Sequence, residues 1–439
     1  MSTYIWQQEK NESTDVDDRL MDFMAGEDII LDRLLFPFDV RASKAHVRGL
    51  ERIGVLTTDE CLELVRALDE LGTSFDEGDF DLNGGHEDCH SAIEAWLTEE
   101  LGELGEKVHT GRSRNDQILV ATRLYLLDRL EQVEKQCRRA ATTALDRAER
   151  DDHPMPGYTH LQRAVPSSTA LWFAGFAEAY IDDARLTRET KGWVDTNPLG
   201  TAAGYGVNLP LDRAFTTRDL GFDRMQINPI YAQNSRGKFE LQALTALAQA
   251  LLDVRRMAWD LSLFTTGEFG FVELPDRFVT GSSIMPNKRN PDVVELLRAA
   301  ASRPIGAITE LQSLLSLPSG YQRDLQNTKR PMIETFEYGV AALAIVVDLL
   351  GELEFDTERM EAAHEPDMFA TDHAIELTAQ GVPFREAYRR VKSALDQEPD
   401  GCDGRSARAS LDDRVSPGAP GDLRLDALRD RLDALEHTS

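Results

Sequence analysis

The sequence predicts an all-α protein of three helical domains around a central bundle of long helices, from three apolar stripes and the lack of any strand-like pattern. Leu126, Leu130, Val133, Cys137, Ala140 and Ala144 recur at alternating steps of four and three, which draws one apolar stripe along a helix face. Leu244, Leu247, Leu251, Val254, Ala258 and Leu261 repeat the pattern, as do Phe336, Val340, Leu343, Val347 and Leu350. No segment shows a comparable alternation of period two, so no sheet of consequence is expected. Stripes of this kind pack helices side by side, and core packing is their role here, not cofactor binding.

The elements follow in chain order. Residues 1–106 hold shorter helices and an Asp-, Glu- and Gly-rich stretch from Phe75 to Gly85, and read as an N-terminal helical domain. Residues 107–355 carry the long stripes and form the central bundle. Residues 356–439 read as a small C-terminal helical domain, with a Gly-, Pro-, Asp- and Ser-rich loop or linker over 398–422. A last amphipathic helix follows, with Leu425, Leu428, Leu432 and Leu435 on one side. A chain of 439 residues fits about three domains, and no internal repeat interrupts this reading.

Composition excludes several function classes. Hydrophobic residues make up 41%, enough for extensive burial, yet no run of eighteen apolar residues offers a membrane span. The N-terminus lacks a charged-then-apolar signal pattern, and Cys61, Cys89, Cys137 and Cys402 are scattered without metal spacing. They read as reduced thiols of a cytoplasmic protein. A net charge of −29 points away from nucleic acid, which needs a basic surface. Such an acidic surface suits a halophilic cytoplasm, where the Debye length falls to about 3 Å at 1 M salt.

Chemistry concentrates in a few segments. In Gly281-Ser282-Ser283-Ile284-Met285-Pro286-Asn287-Lys288-Arg289-Asn290-Pro291, a Gly-opened loop carries adjacent hydroxyls and a lysine and then enters a helix. Asn290 is expected to cap that helix, with Pro291 at its first position and Asp292 at the positive end of its dipole. Amide groups, a helix N-terminus and Lys288 would then converge on an anion, and their field would favour the alkoxide of a serine acting as base. The plain alternative is a polar loop joining two helices.

Four further segments are dense in capable groups. In His86-Glu87-Asp88-Cys89-His90-Ser91-Ala92-Ile93-Glu94, two histidines four apart would share a helix face, but no third ligand is evident and no metal is expected. His109-Thr110-Gly111-Arg112-Ser113-Arg114-Asn115-Asp116-Gln117 sets two arginines before a long helix, which suits carboxylate recognition as well as it suits a solvated cap. Gly157-Tyr158-Thr159-His160-Leu161-Gln162-Arg163-Ala164-Val165-Pro166 places a histidine beside donors just before another helix. Gly320-Tyr321-Gln322-Arg323-Asp324-Leu325-Gln326-Asn327-Thr328-Lys329-Arg330-Pro331 completes the set. No Gly-rich nucleotide loop or covalent-cofactor lysine motif stands out, so no cofactor is expected.

Taken together, these segments resemble the argininosuccinate lyase family of the fumarase/aspartase superfamily across nearly the whole chain. The Ser282 loop alone is shared with fumarase, aspartase and adenylosuccinate lyase. The string from His109 to Gln117, the segment Tyr321…Arg323-Asp324-Leu325-Gln326 and Gly381-Val382-Pro383-Phe384-Arg385-Glu386-Ala387 are particular to the family. Asp39-Val40…Ser43-Lys44-Ala45-His46 is similar to its N-terminal helix.

The resemblance implies reversible cleavage of argininosuccinate to arginine and fumarate, with Ser282 as base and Lys288 stabilising the new charge. It implies His160 at the proton-transfer site, partnered by Glu295. Asn115, Thr159, Asn290, Tyr321, Gln326 and Lys329 would hold substrate, Arg112 and Arg114 would grip or frame carboxylates beside Ser113, and Asp88 and His90 would position it. It also implies a homotetramer with sites shared between chains. Two positions depart from the family pattern. Asp28 stands where a serine is usual, and Ser235-Arg236-Gly237-Lys238-Phe239 replaces Arg-Asp-Phe, leaving Arg236 or Lys238 to supply the cation. Another fumarate-releasing lyase, such as adenylosuccinate lyase, and a crystallin-like structural relative are the rival readings. Intact Ser282, His160, Lys288 and Glu295 argue for catalysis.

The acidic surface yields the first prediction. Thermal stability falls on dialysis from molar salt into dilute buffer, and a melting temperature unchanged between the two would contradict the halophilic reading.

Overall fold

The computed structural model describes Phe23 and residues 28–82, 86–397 and 405–437. Cys402, Gly85 and the start of the expected 398–422 loop lie outside them. The chain divides into two compact units, each assembled from separated stretches. The first takes the described residues up to Gln132, then Thr187–Leu247 and Arg303–Tyr338; the second takes Val133–Leu186, Ala248–Ser302 and the described residues from Gly339 onward.

Helices dominate both units. The first unit opens with α1 (Asp28–Arg52), α2 (Thr58–Glu77) and α3 (Cys89–Leu101). Local sequence sets their ends: Thr57 and Glu60 close a reciprocal capping box on α2, and Asp88 caps α3 by accepting the Ser91 amide at 2.8 Å. These helices bury Phe36, Leu50, Leu64, Leu68, Leu71, Ile93 and Leu97 in one cluster. Four further long helices, α4 (Arg114–Arg150), α5 (Thr169–Val194), α6 (Lys238–Phe264) and α7 (Lys329–Glu352), each give part of their length to each unit.

The stripes read from the sequence are buried as the helical period requires. Leu126 through Ala144 and Leu244 through Leu261 are fully enclosed at every stripe position. On α7, Phe336, Leu343, Val347 and Leu350 are buried and Val340 is only partly so. In the second unit Trp172 packs edge-on against Phe173 and Phe176, and its indole N–H donates to Asp260 at 2.9 Å. Arg147 closes the end of α7, donating to the carbonyls of Leu350, Gly351 and Leu353 at 2.9, 3.1 and 2.7 Å.

Two local expectations are corrected. The segment around His160 is an antiparallel β-hairpin, β1 (Pro154–Thr159) and β2 (Gln162–Ser168), not simply a lead-in to a helix. Its register shifts between Pro156 and Tyr158, where a Cβ on Gly157 would come within 2.7 Å of the Val165 carbonyl. That bulge and the prolines erase the alternation by which a strand is recognised. Within the expected 398–422 loop, Ala407–Asp412 forms a short helix capped by Ser406. Among the described residues no helix is long and apolar enough to cross a membrane.

One buried acid gives a pH prediction. Asp183 on α5 is 5% exposed, its Oδ2 has no hydrogen-bond partner, and burial together with Asp253 and Asp182 pushes its carboxyl up to about 8. The folded state holds this proton while an unfolded aspartate releases it near 3.8, so the ionic penalty grows as pH rises from there toward 8. Asp183→Asn should therefore gain at least about 1 kcal/mol more stability at pH 8 than at pH 4 in urea titrations. An equal effect at both pH values would show that the carboxyl ionises freely.

Candidate active site

A cavity of about 140 Å³ lies in the first unit, walled by α1, the approach to α3, the start of α4, Arg236 and the segment from Tyr321 to Lys329. One buried charge in its wall is Lys329, whose Nζ donates to Asp32 Oδ1 at 2.7 Å and stands 3.4 Å from Asp28 Oδ1. Burial alone would favour the neutral amine, but the two carboxylates prevail and hold the ammonium pKa well above its ordinary value. Burial pushes the Asp28 carboxyl up, against the pull of Lys329. Asp28 and Asp32 are one helical turn apart on α1, so the same face presents both to Lys329.

Across the cavity, Arg114 donates to Glu87 Oε2 at 2.9 Å and sits 3.4 Å from Asp88, while Arg323 reaches Glu87 Oε1 at 3.1 Å. Burial opposes ionisation of Asp88, yet His90, Arg114 and the two Ser91 donors hold it at about 2. His90 lines the wall as well, its Nδ1 at 2.5 Å from Asp39 Oδ2. The wall thus holds both cations and carboxylates, with Asn115, Tyr321 and Gln326 supplying neutral polar groups. Such a wall suits a ligand carrying both charges, such as an α-amino acid head group.

The structure also separates residues that the sequence grouped. Arg112 is buried and donates to Ser43 Oγ at 2.9 Å; it braces α1 and does not line the cavity. Ser113 sits at the entry to α4, where its Oγ accepts the Asn115 amide at 3.2 Å. His86 precedes the first residue of α3, so it shares no helix face with His90. Between the two candidate cations, Arg236 is buried in the cavity wall with its guanidinium 5.9 Å from the Tyr321 ring. Lys238 is instead exposed and donates to the Tyr231 hydroxyl at 3.0 Å.

The second unit holds the remaining candidates. Thr280–Gly281 pairs with Arg289–Asn290 in a two-residue ladder that closes the Ser282–Lys288 loop at its base. Arg289 anchors one side, donating to Asp276 at 2.7 Å and to the Leu274 carbonyl at 3.1 Å. Ser282 Oγ accepts the amides of Met285 at 3.0 Å and Ile284 at 3.3 Å. Two donors aimed at one hydroxyl oxygen favour its anionic form. The loop tip is open, with Ile284 83% exposed and the Lys288 side chain in solvent.

The expected cap is corrected here. Asn290 belongs to the ladder, and the helix Asp292–Ala300 starts after Pro291 without a side-chain cap.

His160 and Leu161 form the hairpin tip, with φ of 55° and 59°. Two successive left-handed residues make the two-residue hairpin turn whose twist matches its strands, normally the place of Asn and Gly. A histidine held there stores backbone strain of order 1 kcal/mol. Thr159 and His160 are exposed, and so is Glu295, whose ion partner is Arg298 at 3.9 Å. Among the described residues of one chain, His160 and Glu295 are not hydrogen-bonded to each other.

Sequence reading passed over Glu87 and Arg323 as cavity groups and Asp32 as the buried partner of Lys329. Asp28, Asp32 and Asp39 recurring on the buried side of α1 was the available signal, since carboxylates are seldom fully enclosed without a partner.

Comparison with known proteins gives a consistent result. The family described as lyase matches residues 12–306. An argininosuccinate lyase of Xanthomonas campestris pv. campestris (strain B100) is 55% identical over 437 residues, covering 99% of this chain and 100% of that protein. One from Stenotrophomonas maltophilia (strain R551-3) is 56% identical over 436 residues, with the same coverage. Among solved structures, EDDS lyase in complex with formate superposes with a TM-score of 0.79 at 24% identity, over 93% of this chain and 87% of that one. A fumarate lyase from Mesorhizobium sp. BNC1 gives 0.69 at 20% identity, over 96% and 95%. Identity above one half over the full length places the chain in the argininosuccinate lyase family.

Proposed function

We infer that the protein cleaves argininosuccinate reversibly to arginine and fumarate by β-elimination. The observation that carries the mechanism is the pair of amides aimed at Ser282 Oγ. A proton must leave the carbon beside a carboxylate, which gives a doubly charged aci-carboxylate before the C–N bond breaks. Ser282 takes that proton as alkoxide, stabilised by the amides of Ile284 and Met285 and by the nearby positive charge of Lys288. Asn290 and Thr159 hold the succinyl end. His160 delivers a proton to the departing guanidino nitrogen, and a carboxylate such as Glu295 raises the imidazole pKa and fixes its tautomer.

The mixed-charge cavity takes the amino-acid end of the arginine moiety. Arg236 and Lys329 face its carboxylate, Asp28 and Glu87 its ammonium, and Asn115, Tyr321 and Gln326 fill the polar contacts. Arg114, Asp88 and His90 keep this wall in place.

The active form is a homotetramer in the cytoplasm of a halophilic cell, with each site drawing residues from more than one chain. Leu252, Trp259, Leu296, Ile305 and Ile345 support assembly, because these large side chains remain exposed along the helices of a single chain. The exposure of His160, Lys288 and Glu295 supports it too, since a proton-transfer site open to water would lose its electrostatic advantage. The apolar loop tip at Ile284 and Met285 then serves as a cover that excludes water.

Ser282→Ala tests the base. Turnover of argininosuccinate should fall by at least about a thousandfold with substrate binding retained, the size expected when a group acting only in the transition state is removed. Turnover unchanged in that variant would remove Ser282 from the chemistry.

A further inference from the structure

Cys89 stands between two residues of the cavity wall and is itself shut away from the cavity. Its Sγ lies 3.8 Å from Asp39 Oδ2 and 3.8 Å from His90 Nδ1, and those two atoms are 2.5 Å apart. All three side chains are buried. Asp39 Oδ1 is enclosed without a hydrogen-bond partner, so the buried carboxylate keeps unused ligand capacity at nine-tenths burial or more.

From this geometry we propose that Asp39, Cys89 and His90 form a binding site for a thiophilic divalent cation of the zinc and cadmium class. A thiolate, an imidazole nitrogen and a carboxylate oxygen are the donor set of such ions. Zinc bond lengths of about 2.3 Å to sulfur and 2.0–2.2 Å to nitrogen and oxygen give tetrahedral edges of roughly 3.4–3.6 Å. The two edges at sulfur are close to that already; the Asp39–His90 edge must open by about 1 Å, which a small rotation of either side chain provides.

The surroundings favour a cation. Asp32 accepts the Cys89 amide at 3.0 Å, and burial together with Asp32, Asp39 and Asp88 pushes the thiol pKa up. A bound ion reverses that penalty, since a coordinating thiol is deprotonated outright. Of the nearby positive charges, Lys329 is paired with Asp32 and Asp28, while Arg112 lies in the field of Asp39 and Asp116 and opposes the ion. Binding exchanges protons for metal: the thiol proton leaves to solvent, and so does the proton on His90 Nδ1 when the ring starts as imidazolium, with Nε2 keeping its own. No bond to carbon changes and nothing is oxidised. Because His90 also lines the cavity, turning its ring toward the ion removes it from the wall, and the metal acts as an inhibitor. This last consequence rests on the substrate assignment; the binding itself does not.

Cadmium titration of the intact protein, followed by the ultraviolet thiolate-to-cadmium absorption, tests the binding independently of activity. The unmodified protein and Cys61→Ala should show one tight equivalent per chain, and Cys89→Ala should lack its thiolate-to-cadmium absorption. Identical titrations of unmodified protein and Cys89→Ala would overturn the site. Should Cys89→Ala fail to fold, crystals of unmodified protein grown with cadmium decide: an anomalous peak within bonding distance of Cys89 Sγ and His90 Nδ1 supports the site, and a flat map there at saturating cadmium refutes it. Cadmium bound at that place with turnover undiminished would leave the site standing and instead contradict the role given to His90.

Discussion

The buried ammonium of Lys329 is the interaction on which the cavity depends. It sits at the first residue of α7 and is held by Asp32 and Asp28 from α1, so one charge cluster joins two segments almost three hundred residues apart in sequence. An enclosed cation persists only when partners replace its lost hydration, and removing one member of such a group typically costs about 3–5 kcal/mol. Asp32 also accepts the Cys89 amide, which ties the start of α3 to the same cluster. The cavity wall is thus a charge-balanced network in which every group constrains the next.

The second unit solves a different problem. Its candidate groups Ser282, Lys288 and His160 sit on short connections that are pinned at the base and exposed at the tip. A two-residue ladder pins the base of the Ser282 loop, and a tight hairpin turn with left-handed φ at His160 and Leu161 holds the imidazole at an apex. Backbone strain at such a tip is tolerated because the strands on either side over-determine the turn. Ordered bases with exposed tips are what a site needs if substrate and neighbouring chains complete it.

Much of this was legible in the sequence. The apolar stripes located three long helices because a spacing near 3.6 residues puts every stripe position on one helix face and on no single face of a strand. Burial follows the stripes except at Val340. The polar segments singled out Asp88, His90, Arg114, Asn115, Tyr321, Gln326 and Lys329, which share one cavity wall. Tertiary context decided the rest. Gly157 and its neighbouring prolines hid the hairpin, and strand pairing took Asn290 from the helix cap that its sequence suggested. Whether Arg112 faced a ligand or the fold depended on the distance to Ser43, and Arg236 was separated from Lys238 only by burial. No sequence pattern encodes such choices between a side chain's two possible surroundings.

The most direct test of this chemistry is what the intact protein releases. Purified protein in molar salt, given argininosuccinate, should form arginine and fumarate in equal amounts as the substrate disappears. Fumarate and adenylate from adenylosuccinate, with no arginine formed from argininosuccinate under the same conditions, would contradict it.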